Sequence, residues 1–132
     1  MTRRQMPVAY IAGPYRGANR EAVELNIQAA RAVGLLAARR GWAPIIPHAN
    51  TGHLDGAYPA LGDDFWLDAT MALLRCSDVL VLCPGWSGSA GTLDEIEEAK
   101  RLGKEIFNTI DQLPTGIEWL ELELLQSDPA DQ

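Results

Sequence analysis

The sequence predicts an α/β fold: one doubly wound domain of the Rossmann or flavodoxin kind, with a mainly parallel sheet and helices on both faces. Three observations carry this. Short apolar runs alternate with segments whose apolar residues recur at helical spacing, giving β-α-β-α-β-α-β-α. Two of the runs pass straight into small-residue loops that open helices, the usual form of a strand's carboxyl end in an open parallel sheet. No repeat and no linker divides the 132 residues, a length that buries a real core in one domain.

The elements follow in order. Residues 1–6 form a short polar arm, and Pro7 to Ala12 a first strand buried on both faces. Gly13-Pro14-Tyr15-Arg16-Gly17-Ala18-Asn19 is a loop with glycines for tight backbone paths, and Asn19 is a helix N-cap. Arg16 is a phosphate partner or an ordinary surface arginine, and Tyr10 and Tyr15 are cleft residues or half-buried aromatics. Arg20 to Arg40 is a long helix whose apolar stripe (Val23, Ile27, Ala30, Val33 or Gly34, Ala37) is broadened by Leu25, Leu35 and Leu36. Gly41 ends it.

Trp42 to Ile46 is the second strand, followed by a loop from Pro47 through Gly62. His48, His53 and Asp55 in that loop lack a further ligand at a recognised metal spacing, so no metal site is expected. His48, directly after the strand, is better placed to hydrogen-bond a substrate. Asp63 to Arg75 is a helix with Phe65, Leu67, Met71 and Leu74 on its apolar face and Asp63 or Asp64 as its cap. Val79 to Cys83 is the most apolar strand. Cys76 and Cys83 both read as small core residues rather than a disulfide.

The stretch after Cys83 organises the chain. Pro84 and Gly85 stop the strand, the small residues Ser87 to Thr92 form a loop, and Leu93, Ile96 and Ala99 mark a helix to about Leu102. Unpaired N–H groups and the helix dipole at such a junction attract a phosphate or carboxylate. Glu95 lies near that pocket and borders apolar Ile96, whereas Asp94, Glu97 and Glu98 read as solvated acids. Lys104 to Phe107 is a fourth strand, Gly116 to Gln126 an amphipathic last helix, and Ser127 to Gln132 a frayed acidic tail. Trp66, Trp86 and Trp119 are cleft, interface or core aromatics.

A net charge of −7 argues against nucleic acid as partner. No apolar run reaches membrane-spanning length and the N-terminus lacks a signal-peptide core, so a cytoplasmic protein with no membrane partner is expected.

Taken together, Tyr10-Ile11-Ala12-Gly13-Pro14-Tyr15-Arg16-Gly17, Pro47-His48-Ala49-Asn50-Thr51, Asp78 with its apolar strand, and Gly85-Trp86-Ser87-Gly88-Ser89-Ala90-Gly91-Thr92 with Glu95 resemble the nucleoside 2-deoxyribosyltransferase-like superfamily, which includes the 2'-deoxynucleoside 5'-monophosphate N-hydrolases. The resemblance covers about residues 7–108 and is nearest to small bacterial and phage domains. It implies that Glu95 is a nucleophile on the anomeric carbon and that Tyr10 orients it. It implies further that Ser87, Ser89, Gly91, Arg16 and Gly17 hold a 5'-phosphate, and that no cofactor is needed. Gly13, Tyr15, His48, Asn50, Asp64 and Trp86 complete the expected substrate site. The family's general acid falls on Thr70; Asp68 is the nearest carboxylate, with Asp63 or Asp64 as substitutes. A homo-oligomer, dimer or tetramer, is also implied. Two further readings are a nucleotide-binding or sensing module without turnover, and a lysine-decarboxylase-like phosphoribohydrolase, whose Pro-Gly-Gly-x-Gly-Thr-x-x-Glu signature is matched here in stretched form.

Overall fold

The computed structural model describes residues 6–50, 52, 54 and 57–126. Four parallel strands, β1 (Val8–Ala12), β2 (Ala43–Ile45), β3 (Val79–Leu82) and β4 (Glu105–Phe107), lie in the order β2-β1-β3-β4. The helices are α1 (Arg20–Arg39), α2 (Pro47–Asn50), α3 (Asp63–Arg75), α4 (Ala90–Arg101) and α5 (Gly116–Gln126). This is the α/β architecture with a parallel sheet that the alternating pattern predicts, and its chain order reverses between β1 and β3.

The two central strands pair in register from Ala9 opposite Val79 to Ala12 opposite Leu82. Their residues alternate between two cores. Ala9, Ile11, Val79 and Val81 face Ala30, Val33 and Ala37 of α1, with Trp42 and Leu113. Tyr10, Ala12, Leu80 and Leu82 face Leu74 of α3 and Ile96 and Ala99 of α4. Helices therefore cover both faces of the sheet.

Local chemistry sets the helix ends. Asn19 Oδ1 accepts from the Ala22 N–H at 2.9 Å and starts α1. Ser89 caps α4 by accepting from the Thr92 N–H. At the amino ends of the strands, Asp78 Oδ2 accepts from the Val8 N–H at 2.7 Å while its own N–H donates to Val8 O. Trp42, only 1 % exposed, donates from Nε1 to Pro114 O at 2.8 Å and fixes the start of α5.

Several sequence expectations change. Pro47–Asn50 is a short helix rather than loop, since Pro47 suits a first helical position. α3 is capped by Gly62 with no side-chain bond, so Asp63 and Asp64 sit inside its first turn. α4 begins at Ala90, earlier than its small residues suggest, and buries Thr92 where Leu93 was expected. Cys76 is exposed, and both cysteines are free. Leu25, Leu35 and Leu36 of α1 and Phe65 and Leu67 of α3 are exposed rather than part of the buried stripes. Along α5 the buried residue is Gly116, and Ile117, Leu122, Leu124 and Leu125 are exposed. Among the described residues no helix is long and apolar enough to cross a membrane.

Candidate active site

A cavity of about 480 Å³ opens at the carboxyl ends of β1 and β3, where the chain order reverses. Open α/β sheets bind ligands at such points because neighbouring loops leave the sheet in opposite directions. The walls come from the β1 loop (Gly13, Pro14, Tyr15, Arg16), the start of α2 (Pro47, His48), one face of α3, and the entry to α4.

Glu95 lines the cavity from the second turn of α4 and is only partly exposed. Tyr10, wholly buried at the centre of β1, donates its phenol hydrogen to Glu95 Oε2. Removal from water pushes the Glu95 carboxyl up to about 7, against the opposing pull of the Tyr10 bond, with the Asp94 charge adding to the rise. Burial and the adjacent carboxylate raise the Tyr10 phenol far above its ordinary range, so it remains a donor. Cys83, at the end of β3, is pushed up to about 12 by burial and the Glu95 charge. Gly13 lies so close to it that an added Cβ would stand 2.6 Å from Cys83 Cβ, which is why the β1 exit must be glycine.

His48 is 5 % exposed, and its Nε2 stands 2.8 Å from Gly13 O and 2.9 Å from Pro14 O. Carbonyls only accept, so Nε2 carries the hydrogen and donates to both. Burial lowers the ring's pKa and keeps it neutral. Nδ1 is then a bare acceptor. Nδ1 and the Trp66 indole Nε1 are both buried with no hydrogen-bond partner, and both residues line the cavity. Tyr15 stands edge-on to the His48 ring, with centroids 5.9 Å apart.

At the entry to α4, Gly88, Ser89, Ala90 and Gly91 line the cavity. The first-turn N–H groups there have no intrahelical acceptor, and they carry the positive end of the dipole. Ser89 Oγ accepts from both the Thr92 N–H and the Thr92 hydroxyl, which leaves its own hydrogen for a ligand.

The cavity thus brings together Glu95, Gly13, Tyr15, Arg16, His48, Ser89 and Gly91 of the expected residues, with Tyr10 beneath Glu95. Arg16 pairs with Asp63 Oδ1 at 3.0 Å at the rim, both side chains largely exposed. Gly17, Asn50, Asp64, Asp68, Trp86 and Ser87 lie outside the lining. The reasons are local. A Cβ at Gly17 would meet Ala22 at 2.5 Å, so this glycine serves the approach of α1. Trp86 is partly buried and packs on the core that contains Leu80 and Leu82. Ser87 sits exposed in a 3-10 turn, Trp86–Gly88, and Asn50 is exposed at the end of α2. On α3, Asp63, Trp66, Leu67, Thr70 and Met71 face the cavity at helical spacing, and Asp64 and Asp68 fall between. That spacing is visible in the sequence and would have picked out Asp63 and Trp66. Asp94, a solvated acid by its place in the sequence, lines the cavity as well. His53 and Asp55 lie outside the described residues. Among those described, no group of three or more His, Cys, Asp or Glu side chains could hold a metal ion.

The family model described as Domain of unknown function (DUF7768) matches residues 7–109, from the start of β1 past β4, and the chain belongs to that family. No curated protein matches the chain.

Proposed function

We propose that this protein is an N-glycosidase that cleaves the base–sugar bond of a (deoxy)nucleoside 5'-monophosphate, or transfers the sugar, through Glu95. The observation that supports it best is the Glu95–Tyr10 pair, in the same cavity as the open N-terminus of α4. The cavity offers both a helix N-terminus suited to a phosphate and, one turn further along α4, a carboxylate, and its volume falls in the range of small-molecule sites. The sequence resemblance to the deoxyribosyltransferase-like superfamily points the same way.

In this reading the 5'-phosphate docks on Ser89 and the Ala90 and Gly91 N–H groups. Tyr10 holds Oε2, and the Glu95 carboxylate attacks C1'. The C1'–N bond breaks, its electron pair leaves with the base, and a sugar ester on Glu95 forms. Water then attacks C1', the ester C1'–O bond to Glu95 breaks, the sugar phosphate and the carboxylate are released, and the proton lost by the water replaces the one given to the base. The leaving base takes up a proton. Asp63 and Asp94 are the other carboxylates lining the cavity and are its candidate donors, Asp68 being outside it.

A second reading is a nucleotide-binding module without turnover. It is favoured by Thr70, which occupies the expected acid position and whose hydroxyl donates to Leu67 O at 2.9 Å. Chromatography of free base from a panel of ribo- and deoxyribonucleoside monophosphates, beside Glu95→Ala, separates the two. Release that the substitution abolishes supports the glycosidase, and the preferred sugar separates it from a phosphoribohydrolase. Binding without release supports the module. Only ionised Glu95 attacks, so kcat/KM should climb as pH rises through about 7.

A further inference from the structure

The outward face of α1 is built to meet itself. Leu25, Ala29, Ala32 and Leu36 recur at spacings of four, three and four residues, which places them in one stripe along a helix. The stripe lies opposite the buried face of Ile27, Ala30, Val33 and Ala37. All four residues are exposed, Leu25 by 65 % and Leu36 by 38 %, and Leu35 beside them by 63 %. Isolated surface leucines need no explanation, but a continuous apolar stripe on a helix that already has a core-facing side does.

We propose that this stripe is a two-fold docking surface for a second copy of the chain, with α1 packed antiparallel on α1. The order Leu25-Ala29-Ala32-Leu36 reads the same from either end, about a point between Ala30 and Arg31. A two-fold interface is self-complementary by definition, residue i on j and j on i. Here it places Leu25 on the other copy's Leu36 and Ala29 on its Ala32. Alanine at the centre lets the helix axes approach closely, and leucine at both ends closes the contact. The charges agree. Glu21 in the first turn and Arg39 in the last are both exposed, and antiparallel packing sets each beside the other's opposite charge. Parallel packing would oppose like charges.

A single helix pair covers less than the ~800 Å² per partner of a standard interface, so the contact is expected to be a concentration-dependent one. The test is sedimentation equilibrium of the whole chain from about 1 to about 500 μM, with circular dichroism confirming each variant's fold. The wild type should form dimers. Leu25→Glu, at an exposed position, should raise the dissociation constant at least about tenfold, a loss of about 1.4 kcal/mol. Glu21→Arg and Arg39→Glu should each weaken association, and the two combined should restore it. A wild type that stays monomeric throughout overturns the proposal. So does a dimer indifferent to Leu25→Glu, or one that either single charge reversal strengthens.

Discussion

The two ends of the sheet treat their polar groups differently. At the amino ends, polar groups are matched to the fold. Asp78 both accepts from and donates to Val8 across the central strands, and Lys104 donates to the carbonyls of Arg75 and Ser77. At the carboxyl ends the balance is left open. Glu95 holds a carboxyl raised to about 7, His48 Nδ1 and Trp66 Nε1 are buried without partners, and the first N–H groups of α4 face a cavity. Buried unsatisfied groups cost stability, so concentrating them at one end is a cost that ligand binding would relieve. The contrast separates groups bonded within the fold from groups left unpartnered or facing the cavity.

Substitutions at the two ends should therefore have opposite signatures. The largest effect expected is on turnover. On the proposed mechanism Glu95 is the nucleophile, whose removal costs about 10⁴-fold or more in kcat, so Glu95→Ala should abolish base release without unfolding the protein. The next effect is on stability and runs the other way. The folded state holds the Glu95 proton more tightly than an ordinary carboxyl of 4.5, so ionising Glu95 lowers stability as pH rises from 4.5 through about 7. A neutral glutamine avoids that loss and can still accept from Tyr10. Glu95→Gln should raise stability by up to about 3 kcal/mol at pH 8 and leave it unchanged below pH 4.5, read from urea melts at both pH values. Asp78→Ala should do the reverse. It should cost about 1–2 kcal/mol in the same melts and leave nucleotide affinity unchanged. If Asp78→Ala weakens binding as much as stability, the two ends are not separable in this way.

The smallest effect concerns the two thiols. Cys83, buried and pushed up to about 12, should resist alkylation at pH 8, while exposed Cys76 reacts. Mass spectrometry of the native and unfolded protein should find one modified cysteine in the first and two in the second.

Much of the fold was legible because its signals are local. Asn19 is followed by a helix, and the limits of α3 and α5 fall where the apolar period and the turn residues set them. The two central strands, β1 and β3, announce themselves as apolar runs, since a parallel sheet buries both faces of its inner strands, whereas the edge strands β2 and β4 carry exposed Pro44 and Glu105. What failed was mostly angular. The period of a stripe gives its direction but not its width, so the pattern assigns Leu25, Leu35 and Leu36 to the core although they are exposed on α1. Asp68 is the carboxylate nearest Thr70 in sequence, but a two-residue offset turns it away from the cavity. Ser89 and Gly91 read as loop because small residues look alike in loops and in a first helical turn. Only the cap bond from the Thr92 N–H distinguishes them. Glu95 and Tyr10 stood out through the motif. Their direct bond depends on two elements 85 residues apart and has no local signature.

The reversal of chain order between β1 and β3 reaches further than this one cavity. The hollow exists because two connections leave neighbouring strands in opposite directions, so the backbone path opens it before any side chain is chosen. The ladder between Ala9–Ala12 and Val79–Leu82 can then stay fixed while the loops that end it are rewritten. The crevice and the rigidity around it thus belong to the backbone frame, and changes confined to the loop residues would alter what the crevice accepts without rebuilding it.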